Sequence, residues 1–285
     1  MANKLVNQAQ EVAKEDLDRY KTLVNEAAKS GSYLYPIKGI FYFLSHRELW
    51  KPLASKLIPY LSLYAGVIGP MFFFTYLPQL AIMVFVNGPL AVFTTVVLVL
   101  NESAAVVSII SKNLLLQEAL LDTFDGTLVA KKQTEIVKNG RELKTRGDSV
   151  QRLGRVLKNP FSKFSVKELV RYFMYLPLNF IPVIGTVAFI FIRGRARGNS
   201  VHDRYFQLKG WSSSTKSDWL KKHKGPYAGF GTVATLLEMV PVASVLFSFT
   251  NTVGAALWAA DIEAKDTQMT KETAPSLRDA AKKAE

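Results

Sequence analysis

The sequence predicts an all-α integral membrane protein: a long helical hairpin plus two proline-broken re-entrant hairpins, with amphipathic helices on the cytosolic side. Three observations predict this class. Hydrophobic residues make up 49% of the 285-residue chain and are gathered in blocks. The blocks 57–86, 88–110 and 230–260 reach the roughly 18–20 residues that cross a bilayer. Lysine and arginine lie between the blocks, where they give a formal net charge of +13.

Residues 1–56 form the predicted amphipathic and interfacial N-terminal segment. Apolar residues in 1–30 recur every three or four positions, which predicts an amphipathic helix that ends at "SGSY". The stretch up to residue 56 alternates aromatic and basic side chains, so we expect it in the headgroup layer, with Trp50 as an interfacial anchor. The charged N-terminus lacks the apolar run of a signal peptide.

Residues 57–111 are predicted to form a transmembrane helical hairpin. Its two apolar blocks are separated only by Asn87, Gly88 and Pro89, a strong turn signal. The outer ends of both helices should therefore lie on the same side of the membrane. Glu102 is the one acidic residue in this hairpin. A buried carboxylate usually occupies a paired or hydrated position, although a place near the interface would also explain it.

The basic polar segment 112–172 and the basic loop 193–229 determine the predicted topology. They hold thirteen and nine Lys/Arg against seven and two Asp/Glu, and residues 1–56 hold nine against six. The positive-inside rule places all three segments in the cytosol. Helical periodicity in 112–172 is interrupted near Gly126 and Gly140, where we predict helix breaks. A charged tail, 261–285, completes the chain.

The block 173–192 must reverse if both of its flanks are cytosolic. Twenty helical residues span only about 30 Å, which suffices for two half-length helices that meet inside the membrane. Pro182 and Gly185 supply the predicted turn, because proline interrupts helical hydrogen bonding and glycine permits unusual backbone angles. Arg193, Arg195 and Arg197 would hold the exit at the headgroups. The alternative is a kinked single span that leaves residues 193–229 on the far side.

The block 230–260 is predicted to form a second membrane hairpin of the same kind. "EMVPVASVLFSF" aligns weakly with "NFIPVIGTVAFIF", by chance or by internal repetition, and places Pro241 at the turn. Non-helical backbone in a membrane must be buried in protein or line a cavity. Polar side chains in both blocks form a candidate membrane path, and Trp258 is a further interfacial anchor. The path residues are Asn179, Glu238, Thr250, Asn251 and Thr252.

Three stretches resemble a known membrane family: "YPIKGIFYFLSHRELWKPL", "LPLNFIPVIGTV" and "LEMVPVASVLFSFTNTVGAALWAADIE". The family joins the bacterial CysZ sulfate permeases to the eukaryotic etoposide-induced proteins. The sequences of these stretches are most similar to the fungal branch of the family, the outer-spore-wall and lipid-droplet-in-sporulation proteins. The resemblance implies two long helices with two half-penetrating hairpins. It also implies sulfate uptake in the bacterial members and an endoplasmic-reticulum or lipid-droplet location in the eukaryotic ones.

The residues do not indicate an enzyme. The three histidines lie in separate polar segments, the chain has no cysteine, and no nucleotide-binding loop follows a strand. We therefore expect no catalytic residue, no cofactor and no bound metal. Nucleic acid is also not expected as a partner, because the basic residues border apolar blocks and form no separate basic domain.

Two functions remain. The first is a structural protein of the endoplasmic reticulum and lipid droplets, whose partners are a phospholipid membrane or droplet monolayer and anionic headgroups. The second is a transporter or channel for sulfate or another small anion, because broken helices direct backbone N–H groups into the membrane. The two glutamates in the apolar blocks have the wrong sign for an anion path. The sequence leaves the oligomeric state open, a homo-oligomer included.

Overall fold

Residues 21–157, 184–240 and 243–284 are described by the computed structural model, and they are mostly helical. Helix α1 covers residues 21–30 and ends at Gly31, whose φ of 66° lies in the left-handed region that glycine adopts readily. A 3₁₀ turn, Ser32–Leu34, leads into α2, Tyr35–Ser45. A second turn, Arg47–Leu49, precedes the long helices.

Helices α3, Trp50–Asn87, and α4, Ala91–Leu114, form an antiparallel hairpin. They are joined by a 3₁₀ turn, Gly88–Leu90, at whose start Gly88 has a φ of 54°. No side chain of α3 after Tyr64 is buried, and every residue of this helix is described. The remaining 23 residues of α3 therefore project about 34 Å from the base of the hairpin.

The segment after the hairpin folds into α5, Gln117–Ala130, and α6, Thr134–Lys138, followed by two strands. Strands β1, Arg141–Leu143, and β2, Leu153–Val156, pair antiparallel with Arg141 opposite Val156. The mostly helical chain agrees with the predicted all-α class, and the part of the polar segment up to residue 157 adds this small two-stranded sheet to it.

The predicted helix break at Gly126 was wrong, because this glycine lies buried within α5. A β-carbon there would lie only 3.2 Å from Cγ2 of Val150. Glycine at this position provides room for a neighbouring side chain and does not end the helix. Gly140 lies between α6 and β1, where the chain does leave helical structure.

The segment predicted as a basic loop, 193–229, is largely helical. It is divided among α7, Ile184–Ser200, α8, Asp203–Leu208, α9, Ser213–Lys222, and the start of α10, Lys224–Glu238. Helix α7 continues through Arg193–Arg197 and ends only at Ser200. Gly185 lies within this helix, so the chain does not reverse at Gly185 itself. Pro182 and the rest of 158–183 lie outside the described residues.

The last helix, α11, runs from Ser244 to Ala284 and covers the end of the second predicted hairpin and most of the charged tail. Pro241 lies outside the described residues. Because Asn251 of α11 bonds to Ala234 of α10, the chain reverses between these two helices. Residues of α11 contribute to both hydrophobic cores, one with α5, α8 and α10 and the other with α2, α3 and α4.

Two helix pairs approach so closely that only glycine fits at the contact. Gly194 and Gly198 of α7 face α10, where a β-carbon on Gly231 would overlap the carbonyl oxygen of Gly194. Gly39 of α2 faces Gly254 of α11 in the same way. Contacts between small residues of this kind are typical of helices that pack in membranes.

Candidate functional site: an exposed apolar hairpin and a half-buried ion pair

The α3–α4 hairpin carries a large exposed apolar surface. Phe73, Phe85 and Phe93 are 78%, 91% and 73% exposed. Two helical stretches among the described residues are long and apolar enough to cross a membrane, Arg47–Ser108 and Ser244–Asp266. In the most apolar 18 residues of the first stretch only 22% is buried inside the protein, whereas in those of the second stretch 72% is buried. The hairpin is therefore the part that presents an apolar surface to its surroundings, as a membrane-binding or protein-binding surface does.

Two polar side chains at the tip of this hairpin, Asn87 and Thr94, are hydrogen-bonded within it. Asn87 Nδ2 lies 3.1 Å from Thr94 Oγ1 and donates to it, and Thr94 Oγ1 donates to the carbonyl oxygen of Leu90 at 3.1 Å. The sequence contains no charged residue between Lys56 and Glu102. The tip therefore carries no charged group, and the Thr95 hydroxyl, which has no hydrogen-bond partner among the described residues, is buried between the two helices.

Glu102 lies inside the hairpin and is paired. It is only 5% exposed and its Oε2 accepts a hydrogen bond from Gln79 Nε2 at 2.6 Å. The carboxylate thus faces α3, which favours the paired interior position over a solvated one near the interface.

Arg197, Glu238 and Asn251 join α7, α10 and α11 through a half-buried ion pair. Arg197 Nη2 lies 3.0 Å from Glu238 Oε1, with side-chain exposures of 22% and 12%. Asn251 Nδ2 donates to the same oxygen at 3.2 Å and to the carbonyl of Ala234 at 3.0 Å. The arginine neutralises a carboxylate within an apolar helix, and the amide adds a second donor.

The remaining path residues do not join this ion pair. The hydroxyls of Thr250 and Thr252 donate to carbonyls of their own helix, at 3.3 Å and 2.8 Å. Asn179 lies outside the described residues. The structure therefore places two of the five predicted path residues, Glu238 and Asn251, in contact with each other. It adds Arg197, which the sequence suggested only as an interfacial anchor.

The other predicted anchors lie in different surroundings. Trp50 is 40% exposed at the base of the hairpin, where its Nε1 donates to the carbonyl of Phe43 at 2.7 Å. Arg195 is exposed, whereas Arg193 is half-buried. Trp258, also predicted as an interfacial anchor, is half-buried and packs against four other aromatic rings. These rings belong to Tyr35, His202, Tyr227 and Phe230.

His202 is fully buried in this aromatic cluster, which the sequence did not predict. Its Nε2 donates to the carbonyl of Ala255 at 3.1 Å, so its Nδ1 accepts from the Tyr227 hydroxyl at 2.8 Å. Trp219 Nε1 donates in turn to Tyr227 at 3.0 Å. Burial lowers the pKa of His202 to about 3, so the imidazole stays neutral. The histidine connects α8, α10 and α11 and has no open side for a substrate or metal.

Asp125 forms a second unpredicted group, with two arginines. Arg204 donates two hydrogen bonds to the carboxylate of Asp125, from Nε at 2.9 Å and from Nη2 at 2.6 Å. Both side chains are buried. Arg141 of β1 approaches Asp125 at 3.4 Å and Asp122 at 2.7 Å. A fully paired group of this kind fixes the sheet against α5 and α8. An aspartate between apolar residues of "LLDTFDGTLV" was the available sequence signal.

Comparison with known proteins identifies the family. Residues 35–248, more than half of the chain, match the family described as sulfate transporter CysZ/etoposide-induced protein 2.4. The chain belongs to this family. The resemblance noted in the sequence is thereby confirmed, and the CysZ/etoposide-induced membership together with the apolar hairpin makes this a membrane protein.

Two yeast members of the family are similar to this chain over most of their length. The chain is 25% identical to the outer spore wall protein RRT8 of Saccharomyces cerevisiae over 258 residues, 85% of this chain and 75% of RRT8. It is 22% identical to the outer spore wall protein LDS1 of the same yeast over 246 residues, 83% of this chain and 72% of LDS1. No solved structure matches this CysZ/etoposide-induced family member significantly.

Proposed function

We propose that the chain is a non-enzymatic membrane protein that inserts by hairpins from the cytosolic face. It would act at the endoplasmic reticulum and lipid droplets, in spore-wall or lipid-droplet biology. The two yeast relatives, both named outer spore wall proteins, support the spore-wall part. The insertion mode is supported by the shape and chemistry of the hairpin.

The apolar tip of the α3–α4 hairpin carries this proposal. A lipid droplet has one phospholipid monolayer over neutral lipid, so a protein inserted there has no aqueous phase to receive a far-side loop. Phe85, Leu90 and Phe93 surround the turn and are 91%, 64% and 73% exposed, while the Asn87 side chain is paired internally. Such a tip is stable in neutral lipid and also at the far face of a reticulum bilayer.

The cytosolic orientation can be tested at Ser213, an exposed position at the start of α9. The chain has no native cysteine, so Ser213→Cys gives a single labelling site. An impermeant maleimide should label it in intact microsomes with the cytosolic face outward. Labelling that requires permeabilised microsomes would place residues 193–229 in the lumen and refute the all-cytosolic topology.

The location can be tested by imaging a fluorescent fusion in cells loaded with oleate. The proposal expects reticulum fluorescence that moves to the surface of neutral-lipid droplets as they grow. A fusion that remains excluded from droplets throughout loading would refute the droplet part.

Small-anion transport is the second candidate, and the CysZ name within the family favours it. The described polar residues weigh against it. Arg197 is paired with Glu238, and the buried Asn251 Oδ1 accepts no hydrogen bond from the described residues. An amide oxygen requires a donor, which sulfate does not offer. Flux of labelled sulfate into liposomes, abolished by Asn179→Leu or Pro182→Leu, would establish transport in place of anchoring.

A further inference from the structure

A cleft of about 490 Å³ lies between α2, the C-terminal end of α5 and α11. Ser45 and His46 line it at the end of α2. They belong to the stretch of alternating aromatic and basic side chains that precedes the apolar run at Leu57, a composition typical of the headgroup layer. We therefore place the cleft on the headgroup side of the base of the hairpin.

Two lysines from different helices line this cleft. Lys38 of α2 has its Nζ 4.6 Å from the centre of the Tyr35 ring, and Lys131 follows the last residue of α5. Both are exposed, and neither forms an ion pair with any residue in the described part of the chain. Their ammonium groups are thus available to an anion from outside the protein.

The one carboxylate in the lining is already engaged. Asp261 Oδ2 accepts a hydrogen bond from the Tyr35 hydroxyl at 2.7 Å. Burial and this hydrogen bond raise the pKa of Tyr35, so the phenol remains a donor at neutral pH. His46 completes the wall, with its ring stacked on Tyr42 at a centroid distance of 3.8 Å.

The cleft opens onto an apolar stripe along α2. The stripe recurs at spacings of three and four residues and consists of Leu34, Ile37, Phe41 and Leu44, which are 40%, 41%, 68% and 54% exposed. Phe41 belongs to both the stripe and the cleft wall. Cationic groups bordered by exposed apolar side chains match an amphiphile, with a charged head and a hydrocarbon tail.

We propose that this cleft binds the phosphate of an anionic phospholipid. Lys38 and Lys131 would hold the phosphate from two sides, and the acyl chains would lie along the α2 stripe. A free inorganic anion would use the lysines but gain nothing from the stripe. This site is separate from the hairpin anchor, and it does not depend on which organelle holds the protein.

Titration of the purified full-length protein in detergent with dioctanoyl phosphatidic acid tests the site by calorimetry. We expect binding at least about tenfold tighter than that of dioctanoyl phosphatidylcholine. Lys38→Gln and Lys131→Gln should each weaken it about fivefold. The exposed Lys221, paired with Asp218 on α9, gives a matched control, since Lys221→Gln should leave affinity unchanged. Phe41→Ser should lower the affinity for phosphatidic acid and leave the affinity for inorganic phosphate unchanged.

Three results would overturn this assignment. Equal affinity for the two lipids would show that the headgroup charge is not recognised. Wild-type affinity in both lysine variants would place the lipid elsewhere. Inorganic phosphate or sulfate that binds as tightly as phosphatidic acid, with no effect of Phe41→Ser, would show a free-anion site. Because the assay uses purified protein, its outcome is independent of the droplet-localisation test.

Discussion

Phe85→Lys places a charge at the tip of the α3–α4 hairpin and separates a droplet monolayer from a bilayer. Phe85 is 91% exposed and lies two residues before the turn at Asn87. No described residue packs closely enough on its side chain for the substitution to disturb the fold. The variant therefore changes what the tip presents to lipid and little else.

The expected magnitude follows from the length of the hairpin. The tip lies about 34 Å beyond Tyr64, slightly more than the roughly 30 Å of a bilayer hydrocarbon core. In a reticulum bilayer the new lysine would reach the far headgroups and stay hydrated. In a droplet it would remain in neutral lipid, at a cost of about 2.5–3.5 kcal/mol. The ratio of droplet-bound to reticulum-bound protein should therefore fall roughly a hundredfold.

Quantitative imaging of fluorescent fusions in oleate-loaded cells gives this ratio directly. Phe85→Leu keeps the tip apolar and should partition like the wild type. Ser213→Lys adds the same charge to an exposed position on α9 and should also leave the ratio unchanged. If Phe85→Lys coats droplets as efficiently as Phe85→Leu, the tip does not enter neutral lipid and the monolayer argument is refuted.

Three further predictions concern the helices that support the hairpin, and thermal melting in detergent measures each of them. Gly231→Ala should lower the free energy of unfolding by about 1–3 kcal/mol or more, because the new β-carbon meets the backbone of the facing helix. Gly66→Ala has open space around it and should be neutral or stabilising. Equal effects of the two substitutions would refute the glycine contact. Asp125→Asn leaves two arginines poorly paired and should lower the free energy of unfolding by about 3–5 kcal/mol. Glu135→Gln, in an exposed pair, should lower it by less than about 1 kcal/mol. Similar losses in the two variants would contradict the stabilising role of the buried group. His202 has a pKa near 6.5 in the unfolded chain and about 3 in the folded chain, so the unfolded chain binds the proton first as the pH falls. The free energy of unfolding should therefore be constant above pH 6.5 and lower by about 2 kcal/mol at pH 5. If His202→Gln has the same pH profile as the wild type, another group is responsible.

The hairpin was predictable because its signals are local. Two long apolar blocks require helices in lipid, and Asn87-Gly88 ends the first with the positive φ that glycine tolerates. The polar segment 112–172 was harder, since its strands are only three and four residues long. Their position depends on the contact of Arg141 with Asp122 and Asp125, and a contact across sixteen or more residues leaves no periodic pattern in the sequence.

The ion pair of Arg197 and Glu238 was missed for a related reason. Each residue was interpreted from its immediate neighbours, one as an arginine at a helix exit and the other as an acid in an apolar block. The two are 41 residues apart and meet only because α7 and α10 pack through their glycines. An acid in an apolar helix requires a partner, so a search for a basic residue on the adjacent helix was the available signal.

Proline proved a weaker signal of reversal than the sequence argument assumed. Helix α3 contains Pro59, Pro70 and Pro78 and continues through all three. Neighbouring helices and local adjustment compensate for the lost hydrogen bonds in membrane helices, so a proline alone does not require a turn. The case for re-entry of block 173–192 therefore depends on the basic residues on both of its sides and not on Pro182. Those residues predict a cytosolic α9, and labelling of Ser213→Cys measures the side of the membrane on which it lies.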